Sequence, residues 1–180
     1  MCSSDLLAAA AFGSPDAADR QARELAAGWR PRVRGAAMLS IASLSNPGGG
    51  LSMVLRAVAA AARLTHPGGT ICVVSRLGER PGVIFSRWRE GAPLDGLVRE
   101  ALGTGDPSLV TDAWQTRFFA RALGDRRLVL LSDLDEATVE ELELGFAATP
   151  EVVERLAHRA DSVAVLHEAD RMLPRLARAR

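Results

Sequence analysis

The chain has no lysine; every one of its 22 basic residues is arginine. No Schiff base, P-loop lysine or lysine-tethered cofactor can therefore form on this polypeptide, because each needs a primary amine. Cysteine is almost as scarce. Cys2 and Cys72 stand far apart in unlike settings, so neither a CxxC pair nor a disulfide framework is visible, and a reducing cytoplasm is the expected compartment. Neither sign of charge dominates: 22 basic residues balance 22 acidic ones, which leaves no field to draw nucleic acid or an anionic membrane. No apolar run reaches the roughly 20 residues that span a bilayer. The opening MCSSDLLAAAAFG also lacks the basic segment of an export signal.

What is present suits one domain. A hydrophobic fraction of 48% over 180 residues is enough for a single core. The first six residues, MCSSDL, are what a common sequencing adapter encodes, so residues 1–11 are read as a candidate non-native or disordered leader. In the segment that follows, Ser14 suits a helix N-cap and Pro15 the first helical position, with Ala18, Ala22, Leu25 and Trp29 on one face. Residues 12–34 are accordingly read as a linker helix from a preceding domain, and 35–180 as the domain itself.

Short apolar runs at 35–42, 70–76, 127–132 and 162–169 are continuous rather than alternating in polarity, which marks strands buried on both faces. Helical spacing fills the intervals: 51 to about 65, where HPGG at 66–69 stops it, then 83–91, 93–105, 108–124, 135–145 and 150–160. The alternation predicts an α/β domain, a Rossmann-like parallel sheet of about four strands with helices on both faces.

Ligands of such sheets sit beyond the carboxyl ends of the strands, here the loops 43–50, 76–82, 132–136 and 167–172. The first carries SNPGGG, running into LSMVLRA. It is no Walker A motif, and it nearly matches G-x-G-x-x-G: Gly48 and Gly50 fit, while Met53 takes the third place. Arg76 after the second strand suits a 2′-phosphate, so a stand-alone NADP-binding module is one reading. The plainer one is that Gly48, Gly49 and Gly50 permit a tight turn with positive φ.

The remaining candidates are weaker. His66 and His158 read as surface residues; His167, with Glu168 and Asp170 nearby, closes the fourth strand at the ligand edge. No second ligand stands at a metal-binding spacing, so no metal is expected on this chain. Of Asp133 and Asp135, one is expected to cap the helix that follows. Cys72 is expected in the core, and Trp29, Trp88 and Trp114 in packing.

Several segments in order carry a family likeness: FGSPDAADRQARELA, SNPGGGLSMVLRAVAAA, HPGGTICVVSR with a later PGVIFSRW, DAWQTRFFARAL, RLVLLSDLD followed by GF, and VAVLHEADRMLPRL. Over most of 12–176 this resembles the carboxy-terminal part of the nickel-dependent lactate racemase family. The resemblance implies a two-domain enzyme that racemises a 2-hydroxy acid on a nickel pincer nucleotide. Its amino-terminal domain would carry the cofactor-bound lysine, the nickel-ligand histidine and the catalytic histidines, none of which is in this chain. No catalytic residue, metal ligand or bound cofactor is then expected here. The carboxy-terminal domain closes over the cleft, and the racemase's glutamine and lysine on the helix after the first strand fall on Met53 and Arg56. Arg56 keeps a cation able to grip a carboxylate, whereas Met53 offers no hydrogen bond. The implied partners are the missing amino-terminal domain and a small 2-hydroxy acid. A non-catalytic subunit that docks onto a separately encoded cofactor-bearing one is the third reading.

Overall fold

The computed structural model describes residues 10–27 and 32–177. Helix α1 (Pro15–Ala27) begins as expected, with Ser14 Oγ accepting from the Ala17 N–H at 3.4 Å. Then follow β1 (Arg32–Val33), β2 (Ala37–Ser43), α2 (Leu51–Ala62), β3 (Thr65–Val74), α3 (Val83–Arg89), α4 (Leu94–Thr104) and α5 (Pro107–Leu123). The second half comprises β4 (Arg127–Leu131), α6 (Glu136–Glu141), β5 (Gly145–Phe146), α7 (Pro150–Arg159), β6 (Val163–Leu166), a 3-10 turn at Ala169–Arg171 and β7 (Arg175–Leu176). Cys2 and Trp29, discussed above, lie outside the described residues.

The strands form a five-stranded parallel sheet in the order β5-β4-β3-β2-β6. This is the Rossmann-like α/β class, with one strand more than the four expected. The extra strand is the pair Gly145–Phe146, lying beside Val129 and Leu130. Helix α6 stops at Glu141 instead of running to that glycine, and Glu143 turns the chain with a left-handed φ of 50°. β1 and β7 pair separately, setting Arg32 beside Arg175 and Val33 beside Leu176.

Alternation across β3 builds two unequal layers. Ile71 and Val73 point to one face, where Val54 and Val58 of α2 and Phe119 and Leu123 of α5 complete the main core. Cys72 points to the other face with Leu39 and Ala147, covered by Val153 of α7. Each fully buried aliphatic side chain of this kind contributes about 1.5–3 kcal/mol. A satellite cluster of Ile84, Leu97, Val98, Ala101 and Ala113 joins α3, α4 and α5.

Two local expectations need correction. HPGG does not separate α2 from the next strand. β3 already begins at Thr65, and Gly68, at φ +77°, carries the chain through a register shift opposite Ala37 and Leu39. Trp114 is not packed: it is 43% exposed, and Phe118 one turn later is 57% exposed. α5 instead turns Ala113, Thr116, Phe119 and Leu123 inward. There Phe119 meets Phe85 edge to face at 5.0 Å, and Trp88 closes on Phe85 at 5.5 Å.

Candidate functional site at the strand carboxyl ends

An open parallel sheet leaves a crevice where the chain departs in opposite directions from neighbouring strands. Here it lies between β2 and β6, because β3, β4 and β5 are laid down on one side of β2 while β6 returns to the other. The loops that follow β2 and β6 meet there. Ser45 donates from its N–H to Asp170 Oδ1 and from its hydroxyl to Oδ2, both at 2.7 Å. Burial would push the Asp170 carboxyl up, but the two Ser45 donors outweigh it and hold the group below its ordinary range. Asp170 is therefore an ionised clamp.

The glycine loop is built on Asn46. Its Oδ1 accepts from the Gly48 N–H at 3.3 Å and its carbonyl from the Gly49 N–H at 2.9 Å. The Pro47 carbonyl accepts from the Arg76 N–H at 2.6 Å, tying the loop to the end of β3. The expected positive φ is absent at all three glycines. Of the three only Gly49 is closely packed: a Cβ there would displace the flexible Met53 side chain and stand 3.1 Å from the Asn46 carbonyl. At Gly50 a Cβ would meet open space, and at Gly48 only the Asn46 side chain, at 3.9 Å.

The bareness of Gly48 and Gly50 thus leaves the amino end of α2 uncovered. Gly50, its N-cap, supplies no side-chain cap. The N–H groups of Leu51 and Ser52 have no acceptor among the described residues, as the first turn of a helix leaves them. Met53 is half-buried against Gly49, while Arg56 is exposed and forms no ion pair among the described residues.

Beside this helix end lies a cavity of about 510 Å³ between Leu51 and Ser52, the loop at Glu79–Gly82, and Ser108, Asp112 and Gln115 of α5; two carboxylates, Glu79 and Asp112, are part of its wall, and Arg56 is not. Asp112 anchors its rim, accepting from the Ile84 N–H at 2.7 Å. Arg80 donates to Thr138 Oγ1 at 2.8 Å and Glu141 Oε2 at 3.1 Å. Arg76 does not reach across the glycine loop; its Nε donates to Asp133 Oδ2 at 3.2 Å, bridging the ends of β3 and β4. Asp135 caps α6, accepting from the Thr138 N–H at 2.9 Å and hydroxyl at 2.7 Å, and these donors hold its carboxyl low.

His66, His158 and His167 are all exposed, and His158 stands 3.6 Å from Glu154. Among the described residues no three His, Cys, Asp or Glu side chains gather as a metal site. The sequence has no lysine, so a nucleotide tethered through a side-chain primary amine has no attachment point on it. Sequence reasoning missed Ser45, Ser52, Arg80, Asp112 and Gln115; the first three stand on separate segments, and only the i, i+3 spacing of Asp112 and Gln115 on α5 was open to a reading of the sequence. No described helix is long and apolar enough to cross a membrane.

A parallel sheet with a bare helix end at its switch point defines a Rossmann-like α/β domain. No family model matches the sequence, and no curated protein does. Among solved structures the fold is similar to the lactate racemase apoprotein from Thermoanaerobacterium thermosaccharolyticum, with a TM-score of 0.68 and 16% identity, over 89% of this chain and 40% of that one. It is also similar to a structural-genomics protein from Thermotoga maritima, with a TM-score of 0.60 and 13% identity, over 89% of this chain and 42% of that one. The fold is lactate-racemase-like, and the chain spans about two fifths of the length of these proteins.

Proposed function

We propose that this chain acts as the carboxy-terminal domain of a lactate-racemase-like 2-hydroxy-acid racemase or epimerase, forming one wall of the substrate cleft. The fold likeness over 89% of the chain carries the reading, and the bare amino end of α2 supports it. Unpaired N–H groups and the positive end of the helix dipole suit a carboxylate, which Gly48 and Gly50 leave room to approach. Arg56, free of ion pairs among the described residues, adds a guanidinium that can take both carboxylate oxygens. Binding and orienting the substrate is this chain's share. The nickel cofactor belongs to a partner domain or subunit, and no chemical step is assigned to residues present here.

The NADP reading is the weaker one. Asp133 already holds the Arg76 guanidinium, so a 2′-phosphate would meet a carboxylate beside its intended cation. The test of the favoured reading has two parts. The chain alone, supplied with nickel cofactor and one lactate enantiomer, gives no racemisation by chiral chromatography. Calorimetric titration with lactate and larger 2-hydroxy acids gives saturable binding that Arg56→Ala weakens about fivefold or more. Turnover by the chain alone, or binding indifferent to Arg56, overturns it.

A further inference from the structure

Away from the strand ends, the outer surface of α2 and α5 carries a groove of about 510 Å³. Its floor is Leu55, Ala59 and Ala62 of α2 with Phe118 and Ala122 of α5. Phe118 leans on Trp114 with ring centroids 6.1 Å apart, both rings substantially in water. Two large exposed aromatics beside an alanine-lined furrow are the kind of patch that marks an interaction surface. The alanines keep the floor low, so another helix can approach to the usual 8–10 Å between axes. The groove's lining along α2 runs from Leu55 to Arg63, a length of about 12 Å, which takes roughly two helical turns.

The rim decides what fits. Arg63 and Arg121 flank the floor, and neither has an ion-pair partner among the described residues. Arg126, at the end of the groove, donates to the carbonyls of Thr65 and Leu123 and has no carboxylate partner among the described residues. Among the described residues no acidic side chain lines the groove, although the whole chain is electrically balanced. A second copy meeting this face with its own would set arginines against arginines.

We propose that this groove docks an acidic amphipathic helix of a partner protein, its apolar stripe over Phe118 and Ala59 and its carboxylates against Arg63 and Arg121. This is helix-in-groove recognition, read through side chains at positions i, i+4 and i+7. It is independent of the substrate cleft, since it uses neither Arg56 nor the glycine loop.

The test uses the full 180-residue chain and a synthetic labelled helix of about four turns, with leucine at i, i+4, i+7 and i+11, glutamate beside them and alanine elsewhere. Fluorescence polarisation at low salt is expected to give saturable micromolar binding. Phe118→Ser, and separately Arg63→Glu with Arg121→Glu, should each weaken it about tenfold or more with unchanged circular dichroism. A twin peptide with lysine for glutamate should not bind. Absence of binding, equal binding by the lysine twin, or indifference to both variants would overturn the proposal. So would a dimer of the chain that Phe118→Ser dissociates in sedimentation equilibrium, because the occupant would then be a second copy.

Discussion

Ser45 and Asp170 lie 125 positions apart in sequence, yet two hydrogen bonds of 2.7 Å join them across the crevice between β2 and β6. The pair fastens the glycine loop to the turn that follows β6. It also holds a carboxylate ionised in a buried place, which makes the crevice sensitive to acid.

Replacing Asp170 by alanine removes a charged acceptor from two donors, and should lower the unfolding free energy by about 1–3 kcal/mol. The sign of the pH effect follows from the depressed folded-state value. The contribution is fully present above the unfolded carboxyl pKa of about 3.9, and is lost as pH falls through the lower folded value. Urea unfolding between pH 7 and pH 3 should therefore show wild type losing stability below about pH 4, while Asp170→Asn lacks that component. Parallel pH slopes for the two proteins would contradict the clamp.

Gly49 and Gly48 are adjacent and should respond differently. Gly49→Ala sets a methyl group against the movable Met53 side chain and 3.1 Å from the Asn46 carbonyl, and should cost about 1 kcal/mol. Gly48→Ala places its methyl in ordinary contact and should stay within about 0.5 kcal/mol of wild type. Thermal melts of the two variants check this, and equal losses would mean that the loop is not held as described.

No saturable NADPH binding is expected at micromolar concentrations, since the Asp133 carboxylate beside Arg76 would set a like charge against a 2′-phosphate. Both groups are more than half exposed, at 74% and 52%, so a double-mutant cycle between them should return no more than about 1 kcal/mol. Tight NADPH binding abolished by Arg76→Ala would instead revive the dinucleotide reading.

Burial pushes the Cys72 thiol up to about 12. At pH 8 only about one molecule in ten thousand then carries a thiolate. In a Cys2→Ser background, Cys72 should stay silent to a thiol reagent until denaturant unfolds the protein. Rapid labelling of the native chain would show that the α7 side of the sheet opens readily.

Much of this protein was legible in one dimension, for a physical reason. Strand and helix identity follow from local spacing, so β2, β3, β4 and β6 and the helices between them could be read directly, as could the burial of Cys72 and an aspartate cap on α6, though the structure alone chose Asp135 over Asp133. The glycine loop also stood out, because three glycines before a helical run are visible without any partner. Properties that depend on distant segments could not be read in this way. Strand order, and with it the meeting of Ser45 with Asp170, is set by which edges pair across more than a hundred residues. The two-residue β5 exists only because β4 offers it a ladder. On α5, Trp114 and Phe118 are as apolar as Phe119. The position of the sheet and α2 alone decided which stripe was buried and which faced water.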